Sequence, residues 1–261
     1  MELDLKANKL IEEIVAVIRS NLDKEKLVEK LDDYHANDIA QSLEYLTKDE
    51  RLSLYEILGD EWVSEILSYV EEPEQYINEL GVEKLADIIN EMDSDDAADL
   101  LEKVDESVKE KLRLSLDDDV KADIQLINSY DEDEVGSLIT NNYICISKTL
   151  DIRGAMHDND NISTIYVVDE NGKFSGAIDL KDLIIARQSD TLDSIIIYSY
   201  PYFYADEKIS DSIEKIKDYA EDSLPVLNRD KEIVGIITAQ DVVEAVDDEM
   251  GEDYAKLAGL T

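Results

Sequence analysis

Asp95 and Asp99 stand one helical turn apart in Met92-Asp93-Ser94-Asp95-Asp96-Ala97-Ala98-Asp99-Leu100-Leu101-Glu102, so a helix there carries both carboxylates on one face. Glu249, Glu252 and Asp253 share a face on a second acidic stretch, and Asp241, Glu244, Asp247 and Asp248 continue it toward its start. Scattered carboxylates of this kind are oxygen ligands for a hard divalent cation. The same residues have a plainer reading. Ser94 followed by two acids is good helix-start chemistry, because acids are stabilised at the positive end of a helix. Most acids in an acid-rich chain are simply solvated. Spacing alone leaves both readings open.

Composition narrows the partners. The chain has 261 residues and a net charge of -40, from 65 acidic against 25 basic residues. Such a surface repels nucleic acid and anionic membrane faces, and cations that screen it favour compaction. Hydrophobic content of 44% is enough to build real cores, which sets the chain apart from disordered acidic tails. A single cysteine, Cys145, excludes a disulfide framework and a thiolate cluster. His35 and His157 lie far apart, which argues against zinc. No apolar run reaches the ~20 residues of a membrane helix, and no stretch reads as a signal peptide. A Gly-rich phosphate loop, a Gly-x-Ser-x-Gly nucleophile and a metal-activating histidine pair are all missing, so the chain reads as a non-enzyme.

Two kinds of element must position these acids. Residues 1–130 have apolar residues at spacings of three and four, as in Leu10, Ile14, Val17 and Ile18. Thr47-Lys48-Asp49-Glu50 has capping-box spacing, and Pro73 marks a helix junction. Asp38-Ile39-Ala40-Gln41-Ser42-Leu43-Glu44 resembles Asp96-Ala97-Ala98-Asp99-Leu100-Leu101-Glu102, which suggests a superhelical stack of short helices. Residues 131–142 read as an acidic, polar connector. Beyond them β-branched runs alternate with helical stretches, an α/β pattern. Residues 167–182 and 226–241 match at an offset of 59, Gly176 with Gly235 and Asp182 with Asp241. Each reads as strand, tight turn, strand and acidic helix start.

The matched segments resemble cystathionine-β-synthase (CBS) motifs, which come in tandem. His35-Ala36-Asn37-Asp38-Ile39-Ala40, the Met92–Glu102 segment, Tyr130-Asp131-Glu132-Asp133-Glu134-Val135-Gly136 and the acidic tail from Asp241 together resemble MgtE-type magnesium channels, in the right order. The resemblance implies a multidomain chain: an all-α superhelical domain at 1–130, an α/β tandem CBS domain at 131–240, and a long acidic connecting or plug helix at 241–261. The first CBS unit is placed at about 137–192 and the second at about 193–240. It further implies Mg²⁺ as ligand, with Asp95 and Asp99 facing Asp241, Glu244, Asp247, Glu249, Glu252 and Asp253 across domain or subunit boundaries. Asp206, Asp211 and Glu221 are secondary candidates. A homodimer on the cytoplasmic face of the membrane is implied, with a channel domain expected after residue 261.

CBS pairs also bind adenine nucleotides, so ATP is a second ligand to consider. Thr238 and Asp241 have the hydroxyl and carboxylate expected to hold a ribose; in the first unit Asp179 stands in place of the hydroxyl residue, and Asp182 remains. The family places a nucleotide at the position of Asp182, beside Lys181 and Arg187. The run Tyr198-Ser199-Tyr200-Pro201-Tyr202-Phe203-Tyr204 is expected to pack in strands or at an interface rather than to stack on a base. A protein-binding scaffold is the third reading.

Overall fold

The computed structural model describes residues 2–20, 22–70, 72–150, 163–186, 191–212, 221–238 and 241, with side chains from residue 9 onward. The stretch expected as a terminal acidic helix, and with it Glu244, Asp247, Glu249, Glu252 and Asp253, lies outside the described residues. The chain divides into two compact units, 1–122 and 123–261. Among the described residues, no helix is long and apolar enough to cross a membrane.

The three-and-four spacing of the first unit becomes a run of short helices: α1 (Glu2–Ile18), α2 (Lys24–Leu31), α3 (Ala36–Ser42), α4 (Lys48–Leu58), α5 (Asp60–Ser68), α6 (Glu74–Ile77), α7 (Val82–Asn90), α8 (Ser94–Glu102), α9 (Glu106–Ser115) and α10 (Asp118–Ile127). α1 packs on α3, α3 on α5, α5 on α7 and α7 on α9, so alternate helices stack as a superhelix. Ile14, Leu31, Ile39, Leu43, Leu54, Ile66 and Ile88 form the continuous core. Thr47 and Glu50 make the reciprocal capping box that starts α4. Gly59, at φ 85°, ends α4 and lets α5 begin at the next residue.

Among the described residues of this unit, one charged side chain is buried. Arg51 is 9% exposed. Its guanidinium pairs with Glu79, through Nε to Oε2 at 2.9 Å and through Nη2 to Oε1, and donates to the carbonyls of Leu43 and Leu46. It also lies 5.3 Å from the centre of the Tyr76 ring. These partners satisfy a charge whose isolated burial would be costly.

Among the described residues, the second unit holds two sheets of identical topology. In the first, β1 (Ile144–Ser147) runs parallel to β2 (Thr164–Val168), which pairs antiparallel with β3 (Phe174–Asp179). In the second, β4 (Phe203–Tyr204), β5 (Ser223–Leu227) and β6 (Ile233–Thr238) repeat that order. The short helix α11 (Leu180–Ile185) follows β3. Asp169 Oδ1 closes the first hairpin by accepting from the amides of Asn171 and Lys173, at 2.8 and 3.0 Å. Asn228 Oδ1 does the same for Asp230 and Glu232, both at 3.0 Å. Gly172 has φ 77° in the first turn; in the second, Lys231 takes φ 65° at the matched position.

The connector at 131–142 departs from the sequence expectation. Val135, Gly136, Ile139 and Thr140 are buried rather than polar and solvated. Val135 and Gly136 donate to the carbonyls of Glu207 and Ala205, and Thr140 exchanges two backbone hydrogen bonds with Ile236 at 2.9 and 3.0 Å. Ile197 makes the corresponding exchange with Ala177 in the other motif. Each sheet is thus completed by a segment that precedes the other motif or follows its own. The buried stretch is too short, and too interrupted by acids, to show a periodic pattern.

Candidate functional site

In the first unit the candidate acids sit on α8. Asp93 holds the extended N-cap backbone at φ -61°, ψ 148°, and Ser94 is buried in the first turn, so the helix starts one residue before a Ser94 cap would place it. Ala97, Ala98, Leu100 and Leu101 face the core. That leaves Asp95 and Asp96 half-buried and Asp99 exposed. Asp95 and Asp99 therefore lie on a shared helix face as the spacing predicted, and the first-turn acids also favour the helix N-terminus. Among the described residues, no group of three or more His, Cys, Asp or Glu side chains is placed to hold a metal ion. α8 carries four carboxylates, Asp95, Asp96, Asp99 and Glu102, of which Asp95 and Asp99 are the pair that the spacing singled out.

In the second unit the candidates sit where β3 and β6 end. Thr238 and Asp241 hold one another: the Thr238 amide donates to Asp241 Oδ2 at 2.5 Å and the Thr238 hydroxyl to Asp241 Oδ1 at 2.9 Å. Asp241, expected as a metal ligand, thus accepts one hydrogen bond from this turn at each oxygen, which leaves lone pairs on both. In the first motif Asp179 occupies the matched N-cap position, makes no capping hydrogen bond, and pairs through Oδ2 with Lys181 Nζ at 2.6 Å. That pairing holds the Lys181 ammonium above its ordinary pKa. Lys181 therefore has a carboxylate partner already, and Asp182 lies half-buried in the first turn of α11. Arg187 lies outside the described residues. Of the secondary candidates, Asp206 is paired with Arg229 at 2.8 Å, while Asp211 and Glu221 are exposed.

Hydroxyls that the sequence reading missed join the two motifs. The buried Tyr166 of β2 shares a hydrogen bond with Ser223 Oγ of β5 at 2.7 Å, and the Tyr200 hydroxyl donates to the Ser223 carbonyl at 2.9 Å. Burial pushes the Tyr200 phenol up to about 12 and raises Tyr166 further. Thr164 and Ser223 head the two central strands at the same offset of 59, so extending the repeat upstream would have found them. The aromatic run packs as expected: Tyr202 stands edge-on to Phe174 and Tyr204, with ring centres 5.8 and 5.6 Å apart, and Arg229 covers Tyr204 at 4.7 Å.

Comparison with known proteins agrees with this architecture. The MgtE intracellular N domain matches residues 34–133, and CBS domains match 135–189 and 193–248. A magnesium transporter MgtE of Enterococcus faecalis is 35% identical over 237 residues, 87% of this chain and 52% of that protein. Another, of Thermus thermophilus, is 31% identical over 146 residues, 53% of this chain and 32% of that protein. The chain thus spans about half the length of the first relative and about a third of the second. The crystal structure of the soluble part of a magnesium transporter superposes with a TM-score of 0.83 at 24% identity, covering 93% of this chain and 99% of that one. The cytosolic domain of the Mg²⁺ channel MgtE in complex with ATP superposes at 0.72 with 29% identity, covering 85% and 94%. With an MgtE N domain followed by a CBS pair in the order of that cytosolic domain, this chain belongs to the MgtE family.

Proposed function

We propose that this chain is the Mg²⁺-sensing cytosolic region of a magnesium transporter or channel, acting as a regulator rather than an enzyme. The observation that carries the reading is the carboxylate pair of α8 in an MgtE N domain of a chain with net charge -40. Asp95 and Asp99 would hold Mg²⁺ on one side. Asp241, Glu244, Asp247, Glu249, Glu252 and Asp253 are the partners proposed for the other. The donor set is all carboxylate oxygen, which fits this hard cation. Mg²⁺ supplies the charge that lets opposed acidic faces approach.

The chain's own contribution is repulsion. At an effective dielectric near ~20, two like charges ~4 Å apart cost about 4 kcal/mol. A few such pairs span the ~5.5 kcal/mol that separates two nearly pure states. Without the cation the acidic faces separate; with it they close, the homodimer compacts, and the terminal segments shut the transporter's pore. The region would stand at the cytoplasmic face of the membrane. Titration calorimetry with MgCl₂ tests the assignment: Asp95→Asn with Asp99→Asn is expected to weaken Mg²⁺ binding at least about tenfold, since each pair removed is worth a kcal/mol or more. Unchanged binding in the double variant overturns it.

A second reading, adenine-nucleotide sensing by the CBS pair, is supported by the relative solved with ATP. It adds to the Mg²⁺ response rather than replacing it.

A further inference from the structure

Among the described residues, a cleft of about 550 Å³ opens between α3 and the junction of α5 with α6. That volume is in the range of small-molecule sites. Ala40, Val70 and the ring of Tyr76 make its inner side, and Glu44, Glu72 and Glu74 stand exposed around it. One wall is α3 with the short turn Leu43–Tyr45 that follows it, where Asn37, Gln41 and Glu44 recur at spacings of four and three. Across the cleft the chain turns at Pro73 to start α6, with Glu72 and Glu74 on either side of that proline. Among the described residues, no basic side chain lines the cleft, and the three glutamates make no ion pair. Arg51 stacks on Tyr76, but its donors are already committed to Glu79 and to the carbonyls of Leu43 and Leu46. The cleft is therefore an apolar floor ringed by carboxylates that lack a cation.

These acids do not converge on a point. Among the described residues, no three acidic side chains are placed to hold one metal ion. Carboxylates on two facing walls are instead met together by a cation whose charges are spaced along a chain. Each ammonium group of such a chain brings N–H donors to carboxylates that only accept. The methylenes between the charges have Ala40, Val70 and the Tyr76 ring to cover. That ring already has a guanidinium 5.3 Å from its centre, so it suits methylenes better than a second cation. We propose that this cleft binds a linear aliphatic polyamine, with one ammonium group on Glu44 and another on Glu72 or Glu74. The cleft shares no residue with α8, so the inference does not depend on the Mg²⁺ reading. It goes beyond that reading by giving the helical unit an organic polycation as a separate ligand.

The test is NMR titration of the nitrogen-15-labelled whole chain with spermidine and, separately, with MgCl₂, at one ionic strength. The amides of Ala40, Val70 and Tyr76 report on the cleft. Spermidine is expected to shift all three saturably. Glu44→Gln with Glu72→Gln is expected to weaken that binding at least about tenfold, since each lost carboxylate removes a charge-assisted hydrogen bond. Glu25→Gln with Glu29→Gln removes the same charge from exposed positions of α2 and is expected to leave binding within about twofold. Glu72→Gln with Glu74→Gln is a second cleft variant should the first fold poorly. Shifts spread over the whole acidic surface, or equal weakening by the cleft and α2 variants, would mean counterion screening only and overturn the inference. Equal shifts of the same three amides with MgCl₂ overturn it in favour of an inorganic cation. An absence of shifts at these amides with spermidine overturns it outright, and leaves the α8 reading standing.

Discussion

Gly176 and Gly235 show how one residue carries the architecture of a CBS motif. A Cβ on Gly176 would stand 2.7 Å from the Ile197 carbonyl oxygen and 2.8 Å from the Ile196 side chain. On Gly235 it would stand 2.7 Å from Ile139 Cβ and 3.0 Å from the Thr140 oxygen. In both motifs the glycine leaves room for the segment that completes the sheet, and the obstacle includes backbone that cannot rotate away. Gly176→Ala and Gly235→Ala are therefore each expected to cost about 2 kcal/mol of the second unit's stability, the usual scale of overpacking. Urea denaturation followed by circular dichroism measures it. A loss near zero in both would mean that the completing segments are not held as closely as the structure has them. The matched glycines were legible in the sequence as a repeat. Their purpose was not, since Ile139 and Gly235 are 96 residues apart and nothing local marks them as neighbours.

Elements are held by local chemistry that the sequence displays more openly. The capping box was readable from Thr47 and Glu50 alone, because its two hydrogen bonds join residues three apart. The partner from a distant helix was not: Arg19, just past α1, donates through Nε to Glu50 at 2.7 Å and through Nη2 to the Tyr45 carbonyl at 2.9 Å. The Arg19 guanidinium, followed by the Thr47 amide, holds the Glu50 carboxyl at about 2, below its ordinary 4.5. A lowered folded-state pKa contributes stability that is present above about 4.5 and lost as pH falls through about 2. The expected result of a carbon-13 NMR titration is that Glu50 remains ionised at pH 3, and that Arg19→Ala returns it toward 4.5. Titration of Glu50 near 4.5 in the wild-type chain would contradict the staple between α1 and α4. The short hairpins show a comparable split. Asp169 with Gly172 signals a tight turn, whereas Lys231, at φ 65°, does the same job without the usual glycine because Asn228 closes the loop.

At the scale of the molecule, a superhelical stack followed by twin sheets was legible because both rest on repetition: alternate helices burying small and apolar residues, and two segments matched at an offset of 59. The candidate site was legible only in part. Asp95 and Asp99 fall on one helix because a local period puts them there, but which acids they oppose depends on residues far away in the chain. Asp241 also proved to have a second employment in its own turn. What organises the proposal is charge, since 65 acids against 25 bases oppose compaction unless a cation intervenes. The most direct measurement is small-angle scattering of this chain with millimolar Mg²⁺, against K⁺ at matched ionic strength. The account predicts a smaller radius of gyration with Mg²⁺ alone, and no such change in the Asp95→Asn, Asp99→Asn variant. A radius that stays the same with Mg²⁺, or shrinks equally with K⁺, would contradict a divalent-gated sensor.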